Sequence, residues 1–282
     1  MVALISIDGV RPDGIRLAPT PNIDRLVRDG SVSWEAQSVT PSITLPCHQS
    51  MFRSVAPMKH GVLNNELRVG PNVPPSIFDV AARSGQQTAM FGNWSPLRDL
   101  GDPEHIHVCY LNNNAHTADG DSHVAEMAIR GAAAEEFDFL FLYLGHTDWV
   151  GHEYGWMSDE YLQAISQVDS CVGRFVDALI ALHHPVDFII ASDHGGHEKV
   201  HGTEEQEDMT VPFIMWGYRC TSGHMIQQPV TLLDVAPTVT RLMGISAPKV
   251  WEGRAVLEGI KDTTESERFR QHQVYGLEEE SD

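Results

Sequence analysis

The sequence predicts an α/β fold: a mostly parallel central sheet, alkaline phosphatase-like, with helices on both faces and a small cap or loop insertion. The prediction rests on three features. Short, almost continuous apolar runs at 2–7, 137–144 and 186–191 have the form of strands buried on both faces. Segments with helical periodicity alternate with them. Several of the runs also end abruptly in Asp or Asp-His, which places polar chemistry where a parallel sheet binds ligands, at the carboxyl ends of its strands.

Taken in order, the first run, Val2–Ile7, ends at Asp8-Gly9. Thr20-Pro21-Asn22 has the form of a cap before an amphipathic helix, with Ile23, Leu26 and Val27 on one face. After a polar stretch, Pro41-Ser42-Ile43-Thr44 leads into a helix through Met51 and Phe52. Residues 76–83 predict a helix and 87–91 a strand, followed by Gly92-Asn93-Trp94. The stretch 93–121 is rich in Asn, Asp, Pro and His without clear periodicity, so it is the candidate cap or substrate loop. Beyond it come a helix at 123–135 and the strand at 137–144. The longest helix follows at 159–182, with Tyr161, Ile165, Val168, Val172, Phe175 and Leu179 spaced by three and four. Strands at 186–191 and 211–216 and a helix at 232–243 complete a single catalytic domain over 1–260. The charged remainder, 261–282, is expected to be a solvated tail.

Composition narrows the function. A length of 282 residues suits one sizeable domain. The net charge of −20 argues against binding a nucleic-acid polymer, which relies on basic surface. An acidic protein that handles an anionic substrate needs local positive charge, and metal cations can supply it where 19 Lys and Arg supply little. The apolar strand at the start, the absence of any apolar run near ~18 residues, and four cysteines without a CxxC pair predict a soluble, cytoplasmic protein with no membrane association.

The chemistry-bearing residues stand just past predicted strands. They are Asp8; the segment Gly145-His146-Thr147-Asp148-Trp149-Val150-Gly151-His152; and Ser192-Asp193-His194-Gly195-Gly196, which continues through His197 to His201-Gly202. Asp and neutral His offer the O and N donors that zinc accepts, and manganese or iron with less preference. Singly, each has a plainer explanation. An Asp after a strand commonly forms a turn, Asp148 and His152 could share a helix face or lie in a loop at Gly151, and 15 histidines bring some pairs together by chance. Three strand ends delivering the same donor types make a structural-only origin for the whole set a minor reading. Thr44 stands where a helix should begin, and free N–H groups there favour an oxyanion or phosphate. Its plainer role is that of an N-cap. A metal on its oxygen would make the alkoxide available near neutral pH.

In their order these segments resemble the alkaline phosphatase superfamily, and most closely its type I phosphodiesterase/nucleotide pyrophosphatase branch. The resemblance runs over nearly the whole chain. Its pieces are Asp8-Gly9-Val10-Arg11, 20–26, Thr44-Leu45-Pro46-Cys47-His48, and His60-Gly61-Val62-Leu63-Asn64-Asn65. Asp148-x-x-Gly151-His152, Ser192-Asp193-His194-Gly195, His201-Gly202 and 233–238 complete the set. The resemblance implies a hydrolase of small-molecule phosphate esters with two divalent metal ions, zinc first. Asp8, Asp193, His194 and the Thr44 oxygen would hold one ion; Asp148, His152 and a further His would hold the other. It further implies in-line attack by Thr44, a phospho-threonine intermediate, and hydrolysis of that intermediate. Asn65 matches the position that hydrogen-bonds a phosphoryl oxygen, with Asn64 as the fallback. Three aspartates and one alkoxide would neutralise two dications.

Two departures stand out. The branch's Phe-Pro-Asn-His is here Leu45-Pro46-Cys47-His48, and its third histidine usually lies far downstream of the Asp-His pair. His201 is the preferred counterpart here, because the turn at Gly195-Gly196 lets the next residues loop back across the short gap between the two metals. His197 comes too soon after that turn, and His224 follows the turn-forming Thr221-Ser222-Gly223. Both remain alternatives. Glu204, Glu205, Glu207 and Asp208 have the composition of a solvated acidic loop. The rival functions are a phosphomonoesterase, with Arg53, Arg68 or Arg98 as extra positive groups, a sulfatase, and a metal-binding protein without turnover. The sulfatase reading is weakened because Cys47 lacks the Cys-x-Pro-x-Arg context, which makes it a packed side chain instead.

Overall fold

The computed structural model describes residues 1–66, 73–183 and 185–261; the predicted tail at 262–282 and Arg68 fall outside the described residues. Its strands are β1 (Val2–Ile7), β2 (Ser31–Gln37), β3 (Thr88–Gly92), β4 (Val108–Leu111), β5 (Phe139–Leu144), β6 (Asp187–Ala191), β7 (Thr210–Gly217) and β8 (His224–Met225). They form one sheet in the order β4-β3-β5-β1-β6-β7-β2-β8. Pairing is parallel from β4 to β6, and only β7 runs antiparallel to its neighbours β6 and β2.

The apolar runs form the centre of this sheet because every residue of β1 and β5 is buried. Alternation then splits the core in two. Ala3, Ile5 and Ile7 project into a cluster with Ile165, Val172 and Phe175 of the helix Asp159–Leu182, while Val2 and Leu4 project into another with Phe52 and Phe78. In the second cluster Phe52 stacks on Phe78 at 5.2 Å and meets Phe141 edge-on at 4.7 Å. Each such buried ring contributes about 1.5–3 kcal/mol by leaving water. Helices therefore cover both faces, as the sequence predicts.

Register matters most for function. Ile7 of β1 lies opposite Leu144 of β5, and Ser6 opposite Ala191 of β6. The three strands thus end side by side, and the residues that follow them emerge at one point.

Two elements differ from the sequence reading, and one choice it left open is resolved. The polar stretch after the second helix contains β2, whose outer positions Trp34, Glu35 and Gln37 are partly or fully exposed and hide its apolar pattern. Residues 93–121 are not irregular throughout, since 3-10 turns at Ser95–Asp99 and Pro103–His105 lead into β4, which pairs with β3. Finally, His146–Tyr154 is helical despite Gly151. No described helix is long and apolar enough to cross a membrane.

Candidate metal centre and nucleophile

Asp8 follows β1 directly, and the turn after it requires Gly9. That residue has φ +66°, and a Cβ there would lie 3.1 Å from the Asp148 backbone. The buried Tyr143 hydroxyl donates to Asp8 Oδ2. Asp8 Oδ1 lies 3.3 Å from His194 Nε2, which in turn is 3.3 Å from Asp193 Oδ2 and 3.2 Å from the Thr44 hydroxyl. Thr44 is the first residue of the helix Thr44–Arg53, behind an extended Ile43 that supplies no side-chain cap. Its hydroxyl therefore faces His194 rather than capping the helix.

Asp148 and His152 sit one turn apart on His146–Tyr154, so the i,i+4 spacing puts them on one face. Asp148 Oδ1 lies 3.6 Å from His152 Nε2 and 3.6 Å from His201 Nε2. The His201 ring stacks on that of His194 at 3.7 Å, which joins the two clusters. Two groups with metal-ligand spacing result, Asp8–Asp193–His194 and Asp148–His194–His201, with His152 beside the second.

The three imidazoles are held alike. Nδ1 of His194, His201 and His152 faces the carbonyl of Gly195, Ser42 and Lys199 respectively, at 2.8, 2.8 and 2.9 Å. A carbonyl can only accept, so each Nδ1 carries the proton and each Nε2 keeps its lone pair for the centre. Burial lowers His194 and His201 to about 3, so both stay neutral.

The carboxylates point the same way. Asp8 Oδ1, Asp148 Oδ1 and Asp193 Oδ2 are buried with no hydrogen-bond partner. Burial raises Asp8 and Asp148 well above the usual carboxylate range, and the charge on Asp193 pushes both further. Burial raises Asp193 too, against the opposing pull of His48. Three unpaired carboxylate oxygens facing three imidazole lone pairs form a donor set that divalent cations would satisfy. The residues present therefore fit two such ions.

Packing fixes the spacing of these segments. The Trp156 indole donates to Gly9 O at 2.8 Å, and its ring fills the space a Cβ would need at Gly151 and at Gly196, 2.7 and 2.2 Å away. His152 and His201 both meet that ring, with centroids at 5.1 and 5.9 Å.

The other sequence candidates are placed as follows. Asn64 and Asn65 are both exposed, but Asn65 Oδ1 accepts from Leu45 N at 2.9 Å beside Thr44, whereas Asn64 Oδ1 accepts from Glu66 N. His197 donates to Asp208 at 2.7 Å, and His224 meets Glu258 at 3.2 Å on the opposite side of β7, within β8. Cys47 is fully buried against Ser38, so it is a packed side chain. Arg53 is buried and bonded to Gln49, Pro74 O and Leu100 O, and Arg98 lies exposed beside Asp99. Asp208 corrects the acidic-loop reading. Glu204, Glu205 and Glu207 are exposed, but Asp208 is buried and also accepts from Thr203 N and Oγ1, which ties down the loop that carries His201.

Sequence reasoning passed over several supports. His48 faces Thr44 O at 2.8 Å and Ser6 Oγ at 2.9 Å, with Asp193 3.4 Å away. Asn93 donates to Asp121, and the two side chains accept from Gly145 N and His146 N, which fixes the turn before Asp148. Asn93 follows β3 as Asp8 follows β1, so the same strand-end signal was available for it.

A mostly parallel sheet with paired Asp/His clusters at the carboxyl ends of its strands, beside a helix-initial threonine, defines the alkaline phosphatase superfamily. Residues 2–209 match the type I phosphodiesterase/nucleotide pyrophosphatase family, and the chain belongs to it. It is 28% identical over 223 residues to rat ectonucleotide pyrophosphatase/phosphodiesterase family member 7, covering 68% of this chain and 49% of that protein. Over 140 residues it is 29% identical to a 2,3-bisphosphoglycerate-independent phosphoglycerate mutase of Lachnoclostridium phytofermentans, covering 48% of this chain and 26% of the mutase. The chain thus spans about a quarter to a half of these relatives' lengths. Among solved structures, an inactive variant of murine ectonucleotide pyrophosphatase/phosphodiesterase 5 in complex with AMP matches with TM-score 0.78 at 16% identity, over 92% of this chain and 99% of that one. Alkaline phosphatase PafA matches with TM-score 0.78 at 11% identity, over 92% and 98%.

Proposed function

We propose that this chain hydrolyses small-molecule phosphodiester or pyrophosphate bonds through Thr44 and two divalent cations, zinc first. The observation that carries the reading is the set of three orphaned carboxylate oxygens and three inward Nε2 atoms beside the Thr44 hydroxyl. Asp8, Asp193, His194 and Thr44 would hold one ion, and Asp148, His152 and His201 the other. When bound, the ions supply the positive charge that stabilises the attacking and the leaving oxygen of an in-line displacement.

The chain's own residues do the positioning. His194 is fixed through Nδ1, so the Thr44 hydroxyl is presented toward the cluster of Asp8 and Asp193. Attack by the Thr44 oxygen expels one ester group of the diester with the hydroxyl proton and leaves threonine bonded to a phosphorus that keeps the other ester group; water then cleaves the threonine–phosphorus bond and releases the monoester. Asn65 has its carbonyl oxygen engaged by Leu45 N, which leaves its amide N–H groups to donate to a phosphoryl oxygen. Among the described candidates for extra positive charge, Arg53 is fully engaged in the core and Arg98 points to solvent beside Asp99, which favours a singly charged diester over a dianionic monoester. The murine relative's complex with AMP supports a nucleotide-type substrate.

Acid-quenching the enzyme during turnover of an aryl phosphodiester and mapping phosphopeptides tests the covalent step. A phosphoryl group on Thr44 that still carries the substrate's second ester group is the expected result. Turnover with no trapped phosphate in either the wild type or a slowed variant would make water the direct nucleophile.

A further inference from the structure

Strand β5 reads Phe-Leu-Phe-Leu-Tyr-Leu, and its alternation sends Phe139, Phe141 and Tyr143 to one face. All three rings are buried in the same apolar cluster, where a phenylalanine packs as well as a tyrosine. Only the last of them, at the carboxyl edge of the sheet, carries a hydroxyl. A buried phenol costs stability unless it finds a partner, and the partner of Tyr143 is a carboxylate oxygen, Asp8 Oδ2. The ring has room there because Gly145 lacks a side chain. A Cβ at Gly145 would stand 2.9 Å from Tyr143 Cε1 and 3.0 Å from its hydroxyl oxygen. The buried His48 ring meets Tyr143 edge-on at 5.3 Å, so the phenol is held by packing as well as by its hydrogen bond.

That contact divides the two oxygens of Asp8. Oδ2 is held by the phenol, while Oδ1 is buried without a hydrogen-bond partner, 3.3 Å from His194 Nε2. Asp193 is divided in the same way. Its Oδ1 accepts from Gly9 N at 3.3 Å, and its Oδ2 is buried without a partner, 3.3 Å from the same His194 nitrogen. Each carboxylate thus turns one oxygen toward the donors beside Thr44 and has the other tied back, by a backbone N–H for Asp193 and by a side chain for Asp8. A carboxylate that binds through both oxygens fills two positions around a small cation. One that binds through a single oxygen leaves a position for a further ligand, which a catalytic site needs.

We propose that Tyr143 is a positioning residue whose hydroxyl keeps Asp8 a one-oxygen donor to the cation beside Thr44, and so leaves room in that site for the Thr44 oxygen. This role rests on the two-cation phosphodiesterase reading above. Without the hydroxyl, Asp8 Oδ2 would be a buried carboxylate oxygen with no donor, and a cation held by Oδ1 is the partner it would turn to.

Tyr143→Phe removes the hydroxyl and keeps the ring, which makes it the variant to test. In an Asp148→Asn background the half with Asp8, Asp193 and His194 is the one left to bind, and cobalt(II) in place of zinc gives that half a visible spectrum. Adding Tyr143→Phe should weaken the cobalt absorption, because the ion absorbs less strongly as more donors surround it, and should lower cobalt retention under graded chelator about tenfold. The same substitution in an Asp8→Asn background, where the half with Asp148, His152 and His201 binds instead, should change neither the spectrum nor the retention. With both halves intact, kcat toward an aryl phosphodiester should fall about tenfold with KM little changed. Spectrum and retention left unchanged by Tyr143→Phe in the Asp148→Asn background overturn the positioning role and leave the phosphodiesterase reading intact. An equal loss of cobalt in both backgrounds, or a loss of fold, makes the hydroxyl a general support of the sheet and overturns the role as well. A weakened spectrum and retention confined to the Asp148→Asn background support the role, and if the wild type then hydrolyses no diester, it is the phosphodiesterase reading that fails.

Discussion

The two halves of the centre are built differently. Asp8, Asp193 and His194 are at most 1% exposed and come directly from strand ends. Asp148, His152 and His201 have side chains 18%, 44% and 8% exposed and come from a helix and a loop. A strand end locked by register and core on both faces cannot move without cost to the sheet. The first half is therefore a closed, water-poor set of donors beside the Thr44 hydroxyl, and the second is the more solvent-open one.

The largest effect should fall on the nucleophile. Thr44→Ala should lower turnover at least about a thousandfold while the second half still binds a cation, with Thr44→Ser recovering part of the rate. Near wild-type turnover by Thr44→Ala would break the division of labour outright. Next comes the loop. His201→Ala should lose one metal equivalent and about a hundredfold in activity, whereas His197→Ala, which breaks only the link to Asp208, should be milder. Elemental analysis together with kinetics separates them, and the reverse order would move the third ligand elsewhere.

These assignments were legible in the sequence to different degrees. Asp8, Asp148, Asp193 and His194 stood out because a buried parallel strand is a solid apolar run, so the first polar residue after it marks the ligand edge of the sheet. Thr44 and Asn65 depended on motif order, and their adjacency is tertiary. Asp208 was misread because its neighbours Glu204, Glu205 and Glu207 do face water, and nothing local reveals that one acid of four turns inward. β2 escaped for a related reason. It lies near the sheet edge, between antiparallel β7 and a two-residue β8, so half its surface is polar.

The contrast in exposure also predicts metal retention. Asp148→Asn protein, which keeps the buried half, should hold its remaining zinc under graded chelator about tenfold more tightly than Asp8→Asn protein, which keeps the open half. Equal retention would mean that burial does not distinguish the halves.

The smallest effect concerns metal-stripped protein. Asp8, Asp148 and Asp193 have raised folded-state values, so they bind protons more tightly folded than unfolded, and their stabilising contribution is lost as pH rises through those values. His194 and His201 are lowered to about 3 and act in the opposite sense, but only below their ordinary value of 6.5. Comparing chelator-treated wild type with chelator-treated Asp148→Asn protein isolates the carboxylate effect: the melting temperature of the wild type should fall relative to that of the variant as pH rises from the ordinary carboxylate value toward the raised one. Zinc-loaded protein should not show this slope. A rise relative to the variant would contradict the raising of the Asp148 value by burial and by the charge on Asp193.

The indole of Trp156 has a consequence for how this centre can vary. It lies against two glycines, Gly151 on the helix that bears Asp148 and His152, and Gly196 just beyond Asp193 and His194. The gap between the two sets of donors is thus gauged by the thickness of an aromatic ring, a quantity that does not depend on loop length. Parts of the chain that neither carry nor hold the donors can change in length and composition while that spacing holds constant. One scaffold can in this way carry many different loops around a single fixed arrangement of Asp and His donors.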